Sequence, residues 1–520
     1  MSNLQFPAFG EENVIENQLN FQSRVLHFPE REASAFHACC QWLIEQGFEE
    51  KESRIREDHF FASFLREGTG IFLNYFGGTK EMRIVEEQSC AHFSFADQLG
   101  DPIVSPQITQ LTLEDFGMSY AIRLSDGRFI LLDGGRNLAQ DADRLYECLK
   151  AGCTQDRPRI AAWIFSHPHS DHFHCFVSFM EKYAQCVDIE RFLFNFPDHD
   201  DFAHYPVLEN APSPIGNLAS FIWIPRMLEW IEKTGAPIFT PHTGQRFTIG
   251  DAEMEILSSM DDTIHLSHDI NAISLVIKMQ LGGQTILWTT DAGFSYARLA
   301  QRYGEYLKSD ILQIPHHGFQ SGTAEGELAG YRLIRPRVCL LPASDFTAFS
   351  FFCAYRAGAR FLMEWDEVAE FITGSQSRTL TLPYTPAPNA KEITRRMLAK
   401  GQNTAGANTW VFTGLSTARP EDFVFTLLNT VIPPAHVQID LYFEQKARAV
   451  RYIQTEIGGS CFKTLNIVGE EVDGDAMSFN AASLKVKGVP ENQPFAVRFT
   501  SETPIIVSHP DHAPAYHSAF

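Results

Sequence analysis

The sequence predicts a layered α/β body flanked by a small α+β unit and an all-β tail. Three observations lead there. Between about 107 and 386, short apolar strands alternate with helical stretches, the pattern of sheets covered by helices. Residues 420–520 carry short strands at near-regular spacing with hardly any helical periodicity, which reads as a β-sandwich. Residues 1–100 combine one helix with a few strands. A chain of 520 residues exceeds one ordinary core, and 43 phenylalanines supply apolar bulk for several.

In the first part, Ser34 to Gln46 places Phe36, Cys39, Cys40 and Leu43 at helical spacing, and Gly47 is a natural stop. HFFASFL, GIFLNYF and EMRIVEE read as strands, the last two joined through Gly77-Gly78 as a hairpin. DQLGDPIVSP, ending at Pro106, reads as a linker. In the body, YAIRLSDGRFILLDGG is two strands around an Asp126-Gly127 turn, ending at Asp133-Gly134-Gly135. Helical sequence follows to Lys150, then the buried strand AAWIF. RFLFNFP, FTIGDAEMEIL, AISLVIKMQL, QTILWTT, DILQIP and RVCLLP are further strands, with a helix from about Asn217 to Lys233 among them. In the tail the strands are FVFTLLNTVI, VQIDLYFE, AVRYIQTEI, CFKTLNIVG, SLKVKG and FAVRFTS.

Charge and composition narrow the partners. A net charge of −22 with no Lys/Arg run disfavours extended nucleic acid and leaves a small-molecule substrate. No stretch approaches the ~20 apolar residues of a membrane span. The start, MSNLQFPAFGEENVIENQ, has neither a basic nor an apolar export region. The ten cysteines are scattered without a CxxC pair, as expected of reduced thiols in a cytoplasmic protein. Oligomeric state leaves no mark on the sequence.

The chemistry concentrates in WIFSHPHSDHFHC, residues 163–175, where His167, His169, Asp171 and His172 form HxHxDH directly after AAWIF. Residues two apart in an extended turn project to one side, so His167 and His169 can converge on one ion. Asp171 and His172 then face a neighbouring position able to hold a second. Imidazoles with a carboxylate make a mixed N/O site suited to zinc, iron or similar metals. Other histidines have blander readings. His174 starts the next helix as polar lining, His265 is an ordinary surface or core residue, and HPDHAPAYH is terminal. Asp198-His199-Asp200-Asp201 is either cleft lining or a solvated acidic loop, and Cys39-Cys40 is helix packing.

With these residues in view, about 280 residues of the chain resemble the metallo-β-lactamase fold superfamily of hydrolases. PHHG in LQIPHHGFQSG is especially similar to the hydrolase-like domain of bacterial DNA-uptake (competence) proteins. The resemblance implies an αββα sandwich over 107–386, between the α+β domain at 1–100 and the β-sandwich at 420–520. It implies that Asp133 supports the metal histidines from behind, and that Asp291, in ILWTTDAG, bridges two metals, with Thr290 where a glycine is usual. One of His316 and His317 then supplies a last ligand. The family's third histidine is absent: Ala272 stands at its spacing, with Asn271 beside it and His268 slightly earlier as candidate replacements. The implied cofactors are one or two divalent metal ions, zinc first, with manganese or iron as alternatives. The implied activity is metallo-hydrolysis by a metal-bound hydroxide, with Asp171 orienting it and accepting its proton, on an ester or phosphodiester bond of a small substrate. The alternative is a non-catalytic scaffold with a vestigial metal site whose flanking domains bind partners.

Overall fold

A computed structural model describes residues 4–7, 9, 15–18, 23–88, 90, 96–97, 100–114, 117–197, 223–263, 270–293, 298–319, 324–343, 357–391, 407–416, 418–429, 435–443, 451–457, 462–466, 481–483, 494–509 and 516–518. The chain divides into two units, Met1–Asp345 with Gly358–Thr394, and Phe346–Ala357 with Arg395–Phe520.

Two sheets face each other at the centre of the first unit. One runs in the order Ile238–Phe239, Phe192–Leu193, Arg159–Ile164, Phe129–Asp133, Ser119–Arg123, Gln107–Gln110, Arg378–Thr381. The other runs Arg246–Ile249, Ala252–Ser258, Val276–Leu281, Gln284–Trp288, Ile311–Gln313, Val338–Leu341, Glu370–Thr373. Strand side chains alternate between faces. Tyr120, Ile122, Ile130, Leu132 and Ile164 therefore meet Met254, Ile277, Met279, Ile286 and Trp288 in one buried core. On the far side of the first sheet, Leu131, Trp163 and Phe165 pack against helices Ala139–Gly152, Cys175–Tyr183 and Ile224–Thr234. Mixed sheets with covering helices are the α/β class expected.

Residues 1–100 form a six-stranded antiparallel sheet with helix Ala33–Glu45 on one face. The expected hairpin through Gly77-Gly78 is present, pairing Phe76 with Glu81. This sheet belongs to the same unit as the central layers, and its joint is buried. Val25, Phe61, Phe72 and Val85 pack against Met260, Ile270 and Ile273. Arg83 and Asp262, both fully buried, form an ion pair, and Arg302 reaches Asp262 at 2.5 Å. His242 bonds Glu87 at 2.7 Å on the N-terminal sheet and Asp261 at 2.8 Å on the body. The expected linker is also tied down, Ile103 and Val104 donating to the Ser125 carbonyl at 2.8 and 3.1 Å.

His242 makes this joint sensitive to alkali. Burial alone would lower its pKa, but Asp261 and Glu87 outweigh burial and raise it to about 10. A proton held more tightly in the folded state stabilises it fully below the unfolded pKa of ~6.5, and the gain is lost as pH rises through about 10. The melting temperature should therefore fall between pH 7 and pH 10, and His242→Gln should flatten that fall. An equal slope in both proteins would place the alkaline sensitivity elsewhere.

The second unit is all-β among its described residues. Its strands form one hydrogen-bonded network in the order Arg451–Ile457, Ala435–Phe443, Pro494–Ser508, Val424–Asn429, Phe462–Asn466, Ala481–Ser483. Ala407–Ser416 pairs with Pro494–Ser508 and with Tyr516–Ser518. The long strand Pro494–Ser508 changes partners along its length, pairing Ala435–Phe443 through Ser501 and Val424–Asn429 from Ile505. The unit also starts before 420, since Ala407–Ser416 is part of it. HPDHAPAYH contributes a strand to it, with His517 opposite Trp410.

Candidate metal centre

Strand ends on the two facing sheets deliver the site. Asp133 ends Phe129–Asp133, and the parallel neighbour Arg159–Ile164 leads through Phe165 and Ser166 to His167. On the other sheet, Gln284–Trp288 leads to Asp291, and its parallel neighbour Ile311–Gln313 leads to His316 and His317. Carboxyl ends of parallel strands are where α/β sheets gather functional groups.

HxHxDH folds as a tight turn rather than an extended one. The His169 amide donates to the His167 carbonyl at 3.0 Å, and the His172 amide to the His169 carbonyl at 3.1 Å, opening the short helix Ser170–Phe173. His167 Nε2 and His169 Nδ1 end 3.0 Å apart, so these two rings do converge. Asp171, His172 and His317 form a second convergence, and His167, His172 and Asp291 a third, each with ligand atoms within 4.8 Å of one another. Asp291 Oδ2 lies 3.1 Å from His172 Nε2, 3.4 Å from His317 Nε2 and 3.7 Å from His167 Nε2. It therefore lies within reach of three of the four imidazoles.

The supports fix which ring nitrogen faces inward. Asp133, fully buried, accepts from the Ser166 amide and hydroxyl at 2.7 Å each and from His172 Nδ1 at 2.7 Å. His172 Nε2 is thereby turned to the site, the arrangement in which a metal-binding histidine is oriented from behind. His317 Nδ1 donates to the Pro342 carbonyl at 3.0 Å, leaving Nε2 facing Asp171 at 3.2 Å. Ser166, which sequence reasoning passed over, joins Asp133 to His167 Nδ1 at 3.0 Å. Its signal was its place directly before the first histidine.

The PHHG turn divides its histidines. Both stand at positive φ, +49° and +50°. His317 is fully buried in the cluster, whereas His316 Nε2 lies 3.3 Å from Asn271 Nδ2. Asn271 thus turns its amide nitrogen to His316, and His316 belongs to neither convergent set of three among the described residues. His268, His265 and Asp198 to Asp201 lie outside the described residues. His174 does precede helix Cys175–Tyr183, but it is buried, with its ring 4.9 Å from Trp223. Thr290, at the usual glycine position, adopts φ +47°. Such a conformation costs of order 1–3 kcal/mol in a non-glycine residue. Here the amide donates to Gln313 Oε1 at 2.5 Å and the hydroxyl to the Leu275 carbonyl at 2.7 Å, which hold the turn.

The electrostatics suit cations. Burial would neutralise Asp171 and Asp291, yet His172 and His317 hold both well below the usual carboxylate range. Burial would likewise lower His317, but Asp291 and Asp171 raise it to about 9. His172 is also held well above its ordinary value, Asp291 and Asp133 overcoming burial. His167 goes the other way, kept neutral by burial and by His172 beside it. Asp291 Oδ1 is buried with no hydrogen-bond partner, an acceptor that a cation would satisfy. Four imidazoles and two carboxylates with an orphaned oxygen fit one or two divalent ions. A separate cavity of about 460 Å³, lined by Arg157, Met180, Asp188, Trp230 and Lys233 among others, shares no residue with this cluster.

No family model and no curated protein matches the chain. Solved structures do. A variant of a metallo-β-lactamase from Cronobacter sakazakii is 12% identical, covering 58% of this chain and 98% of its own, with a TM-score of 0.24. CmlA, a diiron β-hydroxylase from Streptomyces venezuelae, is 10% identical over 54% of this chain and 55% of its own, with a TM-score of 0.31. The Anabaena sensory rhodopsin transducer is 22% identical over 20% of this chain and 83% of its own, with a TM-score of 0.15. This chain thus spans about half of CmlA. Among the described residues, no helix is long and apolar enough to cross a membrane.

Proposed function

We propose that the chain is a metal-dependent hydrolase acting on an ester or phosphodiester bond of a small substrate. The observation that carries this reading is the convergence of His167, His172 and His317 on Asp291 Oδ2, with Asp171 beside His317 and with Asp291 Oδ1 buried without a hydrogen-bond partner. His167 and His169 would hold one ion, Asp171, His172 and His317 the other, with Asp291 between them. When bound, such ions supply Lewis acidity and acidify water. The chain's own groups do the rest. Asp133 and the Pro342 carbonyl fix the ring orientations. Asp171, the most exposed of the three carboxylates with 13% of its side chain accessible, is placed to take a proton from the attacking water.

Protein purified without chelator should contain one or two equivalents of zinc, manganese or iron. Stripped protein should gain thermal stability on adding the metal back, because a ligand of the folded state stabilises it. Uptake at pH 7 should release protons, since His317, raised to about 9, is still protonated there. Raising the pH from 7 to 9 should therefore tighten binding. His317→Ala should lose metal and His316→Ala should keep it. Stripped protein that melts at the same temperature with and without added metal would sink the reading.

A further inference from the structure

A second charged cluster lies on the outer face of the second central sheet. Arg246 is the cross-strand partner of Glu255, and Glu255 of Lys278, so the three form one row across adjacent strands. Over this row lies Glu49–Arg56, the terminal strand of the N-terminal sheet, which places Glu52, Arg54 and Arg56 on a single face by alternation. Four cations therefore face two carboxylates, in a chain whose net charge is −22.

Glu255 carries most of the pairing. It accepts from Arg56 at 3.3 Å, from Arg246 at 3.1 Å and from the Tyr306 hydroxyl at 2.8 Å. Of the other two cations, Arg54 pairs with Glu52 at 3.3 Å, and Lys278 has no carboxylate hydrogen-bond partner among the described residues. Lys278 donates to the Tyr306 backbone carbonyl and lies 3.8 Å from the centre of the Tyr306 ring. Arg54 donates to the Gly244 carbonyl, and its nearest approach to Glu255 is 3.7 Å, through Nη1. That Nη1 is buried and makes no hydrogen bond. Burial is the first cause lowering the pKa of Lys278, to about 8. A buried cationic N–H left without an acceptor is costly, and an oxyanion with several acceptor oxygens relieves it best. Access exists, because the side chains of Arg246 and Arg56 are 45% and 28% exposed.

We propose that Arg54, Arg56, Arg246 and Lys278 bind a phosphate-type oxyanion, either free phosphate or the phosphoryl group of a small metabolite. Guanidinium groups match such oxygens in a fork that ammonium groups cannot provide. The site is built jointly by the N-terminal sheet and the body, so its ligand would fasten one to the other. None of its residues belongs to the metal cluster.

The test is thermal unfolding of the full chain in orthophosphate, in glycerol phosphate and in chloride at equal ionic strength. Either phosphate should raise the melting temperature by a few degrees over chloride, and the larger shift identifies the source. Lys278→Met and Arg246→Gln should each abolish most of that rise while keeping the metal content of the parent protein. Lys278→Met replaces a buried charge by an apolar chain of similar length and Arg246→Gln changes a half-exposed side chain, so both should fold. No rise in the parent protein would overturn the proposal. So would a rise of equal size in both variants, which would assign phosphate to the metal centre or to bulk solvent effects.

Discussion

Asp171→Asn should reduce turnover by about 10²–10⁴-fold, the usual loss when a general base is removed, while leaving the circular dichroism spectrum unchanged. Asparagine keeps the shape and one oxygen but loses the negative charge and the basicity. The fold has little reason to notice. The contacts that hold this turn run through the Asp171 backbone, whose carbonyl accepts from the Met118 amide at 3.0 Å. The side chain instead faces His317 Nε2 at 3.2 Å and His172 Nε2 at 3.9 Å. On the proposed reading, losing it removes a metal ligand and the proton acceptor at the same time. The measurement is hydrolysis of p-nitrophenyl acetate and bis-p-nitrophenyl phosphate by metal-loaded protein. His174→Ala is the control, because His174 packs on Trp223 and stays outside the convergent sets. Its activity should stay within about tenfold of the parent, ~1.4 kcal/mol in barrier. Asp171→Asn turning over as fast as the parent would refute catalysis at this site and return the chain to the scaffold reading.

How much of this was legible depended on how local each signal was. His167, His169, Asp171 and His172 lie within six residues of sequence, so their convergence could be read directly, though the turn that achieves it is tighter than an extended strand. Asp291 and the PHHG histidines are far away in sequence, and only a resemblance pointed to them. The choice between His316 and His317 could not be read at all. Both have left-handed backbones, and the Pro342 carbonyl and Asn271 decide which ring faces inward. Glu49–Arg56 was passed over because EEKESRIR has almost no apolar alternation. It is a terminal strand that turns arginines, rather than a hydrophobic face, toward the body. The same kind of signal hid the joint between 1–100 and the body. Arg83, Glu87 and Arg302 look like surface charges in the sequence, yet Arg83 and Arg302 are buried partners of Asp262, and the partly buried Glu87 pairs with His242.

That joint should fail on the addition of one methyl group. Gly244→Ala is expected to destabilise the first unit by about 2–6 kcal/mol, combining ~1–3 for overpacking with ~1–3 for backbone strain. Gly244 has φ +93°, and a Cβ there would lie 2.6 Å from Phe61 Cε2 and 2.7 Å from Asn74 Oδ1. Neither neighbour can yield cheaply. Phe61 is 1% exposed, within the cluster that includes Val85, Ile270 and Ile273, and Asn74 donates to the Thr243 carbonyl at 2.9 Å. Gly283→Ala isolates the backbone contribution, since Gly283 has φ +76° with no atom within 4 Å of a Cβ. The difference between the two melting temperatures then measures the fit of the N-terminal sheet against the body. Ile270 and Ile273 flank Asn271, which lies against His316, the neighbour in sequence of the proposed ligand His317. Gly244→Ala should therefore also weaken metal retention, and Gly283→Ala should not. If both variants melt together and hold metal equally, the sheet's edge yields at no cost and does not position the centre.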